Sequence, residues 1–313
     1  MSPEALQSIF TIQSGSEIDP YALAQLMIKI KQYDQNGEEA SIEDLQTMLT
    51  RGRRSWWAIR EVDEPVKLAG YAWGFPQTSQ RIVFYLAVHP NRRRQGLGSR
   101  LLAQIGEHAR QAGAGHITSS PDAGNAAANA FLRQKGLRVV GAEWLLRAPS
   151  EAIFPDPVWP DGFRVERYSI INNPAILVDA CNRSRRDMWG HSENTPGAIT
   201  EESVERILSY WSPENIFLAF APNGQVAGIC AGNPNAFPQG HLIDAPTIVP
   251  EYRSSGLQRP FVLTLVQTLR GSGPGEIRLE SYGDLEPVID IYREAGFILD
   301  SQCLAYCCEI SSS

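Results

Sequence analysis

The chain has 313 residues, 43% hydrophobic, 20% charged and 9% aromatic, with 26 Gly, 21 Pro and a formal net charge of −7. Those values exclude collagen-like, coiled-coil and disordered classes, and the length suits two domains at about 100–200 residues each. No stretch approaches the roughly 18 apolar residues of a membrane span, the N-terminus has no basic segment leading into an apolar core, and the acidic balance argues against a nucleic-acid partner.

From the N-terminus, apolar residues at helical spacing (Leu23, Leu26, Met27, Ile30) predict a helix over 21–33, and Ser41 opens a second over 41–51. SWWAIRE, VKLAGYAWGF and RIVFYLAV read as strands, the last ending at proline. A glycine-bearing loop then opens the apolar helix Leu97 to Gln111; a short strand, a further helix and the strand EWLLRA complete the half. The segment APSEAIFPDPVWPDG that follows holds four prolines, unsuited to a helix interior or a central strand. Beyond it the order returns: helices over 174–186 and 200–211 (opened by Thr200), strands IFLAFA, VAGICAGN and HLIDAPTIV, a helix from Leu257 to Arg270, and a final strand CLAYCCEI. A constant offset of 160 relates Pro90 to Pro250, Arg93 to Arg253, Gly96 to Gly256, Gly113 to Gly273, Arg133 to Arg293 and Gly136 to Gly296. The chain therefore reads as one α/β unit present twice, with a first domain at 1–149, a proline-rich linker at 150–161 and a second domain at 162–313. The five cysteines form no CxxC and have no His partner at metal spacing, which predicts reduced thiols in a cytoplasmic protein and no metal site.

The segment VHPNRRRQGLGSRLL, residues 88–102, has the makings of an anion cradle. A strand ends, Gly96 and Gly98 let the backbone come close to a ligand, and a helix begins whose free N–H groups and dipole point at it; Arg92, Arg93 and Arg94 add positive charge. Neither GxxxxGK[ST] nor an early GxGxxG is present. The segment resembles the acetyl-CoA pyrophosphate signature [RQ]-x-x-G-x-[GA] of the GCN5-related N-acetyltransferase (GNAT) family. Arg93-Arg94-Gln95-Gly96-Leu97-Gly98 matches it in full, and Arg253-Ser254-Ser255-Gly256-Leu257-Gln258 matches all but the last position. A second family signature, N-x-x-A-x-x-[LF]-Y-x-x-x-G-F, is met in part by each copy: Asn125, Ala128, Phe131 and Gly136 in the first, Tyr292, Gly296 and Phe297 in the second.

The resemblance implies two tandem GNAT domains, each a mixed, mostly antiparallel sheet flanked by helices with a splayed strand pair at the coenzyme site. It implies acetyl-CoA as cosubstrate, no metal, and transfer of an acetyl group to a primary amine of a small-molecule acceptor by a monomer or homodimer. Coenzyme contacts would come from Val88, Arg93, Arg94, Gln95, Gly96, Leu97, Gly98, Ser99 and Asn125 in the first copy. In the second they would come from Val249, Arg253, Ser254, Ser255, Gly256 and Leu257.

Acetyl transfer needs a group to take the amine's proton and one to protonate the departing thiolate. In the family a carboxylate on the strand before the loop and the helix tyrosine serve, which implies Asp244 as base and Tyr292 as acid. The first copy has Leu132 in place of the tyrosine, and Ile82 and Phe84 on the strand face that would hold the base. The second copy is thus expected to be catalytic, with Glu280 and His241 as reserve candidates; the rival function is a non-catalytic acyl-CoA-binding or sensing protein. Arg183 to Arg186 read as a solvated helix face, and Tyr168, Trp189 and Trp211 as the lining of an acceptor pocket. His89 reads as an exposed residue at a strand end, and His108 and His116 show no nucleophile or metal partner at recognisable spacing.

Overall fold

The computed structural model describes residues 9–35, 39–63, 67–188, 199–238 and 240–310; Trp189 lies outside them. Two compact units form, and neither is contiguous in sequence. The first comprises the described residues of Met1–Ser119, Ala130–Arg138 and Tyr306–Ser313, the second Ser120–Asn129 and Val139–Ala305.

In the first unit β1 (Phe10–Ser14), β2 (Ser55–Glu61), β3 (Leu68–Thr78) and β4 (Arg81–Val88) pair antiparallel in that order. β5 (His116–Ser119) then runs parallel to β4. The far side of β5 is taken by the end of the chain's last strand, β12 (Ile298–Glu309), in antiparallel register from Tyr306↔Ser119 to Glu309↔His116. α1 (Pro20–Asp34) and α2 (Ile42–Arg51) begin at Asp19 and Ser41, whose side chains accept the N–H groups of Tyr21 and Asp44. Their apolar stripe, Leu23, Leu26, Ile30 and Leu45 among it, packs on a sheet face carrying Trp56, Tyr71, Trp73 and Tyr85. α3 (Leu97–Gln111) lies on the opposite face, where Leu101 comes close to Gly70 of β3.

The second unit repeats the plan. β7 (Arg164–Arg167), β8 (Ile216–Phe220), β9 (Val226–Phe237) and β10 (Gly240–Ile248) are antiparallel and β11 (Glu276–Tyr282) is parallel to β10. β6 (Arg138–Ala148), from the first half of the sequence, closes the order against β11, from Ile277↔Ala148 to Tyr282↔Glu143. One face is covered by the short α5 (Tyr168–Ile171), α6 (Pro174–Arg185) and α7 (Val204–Tyr210), packed around Tyr168, Leu177, Cys181, Leu218 and Ile229. The other carries α8 (Gln258–Gly271) and α9 (Glu286–Ala295), packed around Phe261, Leu265, Ile277 and Tyr292. Each unit is therefore a mixed, mostly antiparallel sheet flanked by helices, and in each the sixth strand comes from the other half of the chain.

Three readings of the sequence change. β1 and β7 were not expected; they are five and four residues long, and three of β7's four residues are charged, too little for a period of two to register. Residues 149–162 form neither helix nor strand, yet Phe154 and Trp159 pack on the second core, and Asp156 accepts a hydrogen bond from Gln267 of α8 at 2.7 Å. Tyr168 and Trp211 belong to the core beneath α6 instead of lining an open pocket.

Candidate active site

The two loops share a backbone design. A strand ends, a 3-10 turn begins at Pro90 or Pro250, and a glycine in the left-handed region precedes the helix: Gly96 at φ +84° and Gly256 at φ +74°. A Cβ there would be strained, which is why both copies carry glycine. Leu97 and Leu257 are buried and anchor the helix starts, while the first-turn N–H groups of α3 and α8 have no intrahelical acceptor.

The arginines take a different part from the one the sequence suggested. Arg93 Nε donates to the Val88 carbonyl at 3.1 Å, and its two terminal nitrogens donate to Asp34 at 2.9 and 2.7 Å. Arg253 repeats the arrangement, with Nε to the Ile248 carbonyl at 3.3 Å and both terminal nitrogens to Asp187 at 2.6 Å. Arg92 pairs with Glu61 at 2.8 and 2.9 Å. The guanidinium groups of Arg92, Arg93 and Arg253 thus brace the loops, and an anion would be left to backbone N–H groups and to Arg94, whose backbone stands at φ +62°. The Asn125 side chain accepts the Ala128 N–H at 3.0 Å as part of the start of α4 (Ala126–Gln134), and the buried Val249 donates its N–H to Ala227. Gln258, where the first copy has Gly98, is buried at the first position of α8.

Beside each loop the parallel strands part. β4 pairs with β5 only from Arg81↔His116 to Val83↔Thr118, although β4 runs on to Val88. β10 pairs with β11 from Gly240↔Glu276 to Asp244↔Glu280 and runs on to Ile248. Asp244 and Glu280 thus sit side by side at the apex of the second wedge. The β4 register is regular from Val88↔Gly70 to Ile82↔Pro76, whereas β10 has a bulge, with Asp244 opposite Ala231 but Thr247 opposite Ile229. Counted from the matching pairs Val88↔Gly70 and Ile248↔Gly228, Asp244 corresponds to Tyr85, opposite Trp73. The strand face of the first copy that matches Asp244 therefore carries Val83 and Tyr85, under α1 and α2, and not Ile82 and Phe84.

Charge gathers at this apex. Burial raises the Asp244 carboxyl above its ordinary range, and Arg185, with Nη2 at 3.4 Å, opposes that rise. Glu280 is raised by burial and then by Asp244. Tyr210 of α7 is raised by burial, with Glu280 and Asp244 adding to it. Tyr292 of α9 is fully buried and donates its hydroxyl to Asp284 Oδ2 at 3.3 Å; the same oxygen accepts Ser281 Oγ at 2.6 Å. Burial first, then the Asp284 carboxylate, push the phenol well above its usual value, so it holds its proton at neutral pH.

His241 is not a reserve base: it is buried, its Nδ1 accepts the Asn235 N–H, and its Nε2 meets the Gly273 carbonyl at 3.1 Å. Of the arginines read as a solvated face, Arg185 turns to Asp244, while Arg186 pairs with Glu251 at the surface and Arg183 with Asp179 along the helix. His108 also has a partner, Ser55 Oγ at 3.2 Å from Nε2. Sequence reasoning missed the placement of Glu280 beside Asp244 and missed Asp284 altogether. The first needed strand register, and the second has as its only signal a carboxylate eight residues before Tyr292.

Residues 22–137 match the acetyltransferase (GNAT) family. The chain is similar to mycothiol acetyltransferases of Saccharomonospora viridis (28% identical over 226 residues, 69% of this chain and 71% of the relative) and Thermobifida fusca (28% over 271 residues, 80% and 81%). In fold it is similar to a GCN5-related N-acetyltransferase from Sphaerobacter thermophilus, with a TM-score of 0.70 at 19% identity over 96% of both chains. It is also similar to a tandem GNAT protein from the clavulanic acid biosynthesis pathway, with a TM-score of 0.58 at 16% identity over 97% of this chain and 99% of that one.

Proposed function

We propose that this chain, a tandem member of the acetyltransferase (GNAT) family, moves an acetyl group from acetyl-CoA to a primary amine of a small-molecule acceptor, and that the second unit carries the chemistry. The observation that carries the reading is the apex of the second wedge. A half-buried carboxylate, Asp244, stands where the parallel strands part, within one unit with a buried, protonated phenol, Tyr292.

The coenzyme fits the loop design: left-handed glycines bring the backbone and a helix N-terminus to one point, as a pyrophosphate requires. When bound, acetyl-CoA supplies a thioester whose carbonyl carbon is open to an amine and whose sulfur can leave. Asp244 takes the proton lost by the amine nitrogen, directly or through water. Its raised pKa brings it nearer the operating pH, where a general base is most effective. Beyond the last paired residues the β11 side of β10 is open, and a backbone N–H there, from a residue other than Pro246, would meet a developing oxyanion. Tyr292 holds at Oη the proton that a departing sulfur takes. In the first unit the corresponding strand position is Tyr85 and the helix position is Leu132, so that unit binds the coenzyme without turnover. The five free cysteines suit a reducing, cytoplasmic setting. Among the described residues no helix is long and apolar enough to cross a membrane.

Release of free thiol from acetyl-CoA, followed across a panel of primary amines, tests the reading. Tyr292→Phe and Asp244→Asn are each expected to lower kcat by about a hundredfold or more while the calorimetric Kd for acetyl-CoA stays within a few-fold. Turnover unchanged in Asp244→Asn would remove it as the base.

A further inference from the structure

The last two residues of α6 and the two that follow it each reach a different residue of the catalytic strand or of the coenzyme loop. Ser184 Oγ lies 2.9 Å from Thr247 Oγ1, Arg185 Nη2 lies 3.4 Å from Asp244 Oδ2, Arg186 Nη2 donates to Glu251 Oε1 at 2.5 Å, and Asp187 accepts both terminal nitrogens of Arg253. Thr247 and Asp244 flank the bulge of β10, while Glu251 and Arg253 lie in the Pro250–Ser255 turn. A single stretch of backbone is thus tied at one end to the anion loop and at the other to the carboxylate at the wedge.

The first unit shows which part of this is general. There Asp34, at the end of α1, braces Arg93 as Asp187 braces Arg253, with Tyr33 beneath the guanidinium. The strand position equivalent to Asp244 is Tyr85, so the brace exists without a carboxylate to hold. The extension through Arg185 occurs in the unit that has one.

We propose that Arg185 is a positioning residue for Asp244, and that Ser184–Asp187 is a strap through which occupation of the coenzyme loop sets the place and charge of that carboxylate. This rests on the reading of Asp244 as the base. Arg185 of α6 acts on Asp244, and Asp244 acts in turn on the groups around it: Cys181 of α6, Glu280 of β11, Tyr210 of α7, Cys230 of β9, Asp284 of the turn after β11, and Tyr292 of α9. Arg185 is the cation in that set; the others are acidic or neutral. A guanidinium in contact favours the ionised carboxylate, and without it burial and Glu280 favour the protonated form. An anion that orders the loop also orders Glu251 and Arg253, hence Asp187 and Arg186, and hence the backbone from which Arg185 reaches.

The test uses the full chain. Adding coenzyme A, hydrogen exchange read by mass spectrometry is expected to slow in peptides covering 184–187 together with those covering 250–257. Protection confined to 250–257 overturns the strap, and protection in neither removes coenzyme binding by this unit and the strap with it. In pH profiles of kcat/KM, Arg185→Met is expected to move the acidic limb upward by about one pH unit with the Kd for coenzyme A unchanged. Arg185→Lys, which keeps the charge, should leave the limb near its original place and guards against a mere folding defect. Asp187→Asn should weaken coenzyme A binding by about tenfold and also move the limb upward, and its limb shift should not add to that of Arg185→Met. A limb that stays put in Arg185→Met, or that moves additively in the double variant, overturns the inference. Full turnover in Asp244→Asn overturns instead the reading on which it rests.

Discussion

At the scale of single residues, the loop braces trade an exposed charge for a fixed one. The Arg92 hydrogen bonds hold the Glu61 carboxyl below its ordinary value of 4.5, more than offsetting a burial that leaves its side chain 9% exposed. A depressed carboxylate contributes its stability in full above the unfolded value and loses it as pH falls through the lower, folded one. Glu61→Gln is therefore expected to cost about 1.5–3 kcal/mol at pH 7, and urea titrations should show the gap to the parent chain closing below pH 4.5. A gap that does not narrow at all as pH is lowered from 4.5 would count against the ion pair as its source. The glycines of the loops were legible because their constraint is local: a left-handed turn before a helix needs them wherever the chain goes next. The braces were not, because Arg93 finds Asp34 59 positions earlier and Arg253 finds Asp187 66 positions earlier. No periodicity reports such a separation; only packing brings the pairs together.

At the scale of elements, most helices and strands followed from apolar spacing, and the bulge in β10 shows where that reading falls short. HLIDAPTIV alternates well enough to pass as a regular strand, and a regular strand would match Asp244 with Phe84. One extra residue between Asp244 and Thr247 turns the carboxylate to the α6 face, where Arg185 meets it. The sign of this was in the sequence: Pro246 has no N–H to give to a ladder, and within sheets proline is confined to edges and bulges. Deleting Ala245 should remove the bulge and leave Asp244 two residues before Thr247 in a regular strand, so that it keeps the α6 face. The expected result is turnover within about tenfold of the parent chain, with the far-ultraviolet circular dichroism of a folded α/β protein retained. Turnover lost by about a hundredfold or more in a folded deletion variant would show that the bulge does more than set the face of the base.

At the scale of the whole molecule, the repeat at an offset of 160 announced two similar units, but periodicity does not reveal which strand closes which sheet. β6 pairs with β11, and Tyr306 to Glu309 pair with β5, so each unit draws its sixth strand from the far half of the sequence. A protease site inserted at Ile153, which is 93% exposed, should give a nicked protein whose two fragments stay together on gel filtration and part only in denaturant. Fragments that separate in native buffer would contradict the exchange. The same exchange has a consequence in time. A ribosome that has made β5 must add the 187 residues from Ser119 to Tyr306 before the strand's partner exists. At roughly 5–20 residues per second that wait is on the order of ten to forty seconds. Throughout it the nascent first unit displays an unpaired strand edge of the kind that recruits neighbouring chains, which makes prompt release of the C-terminus a condition of clean synthesis.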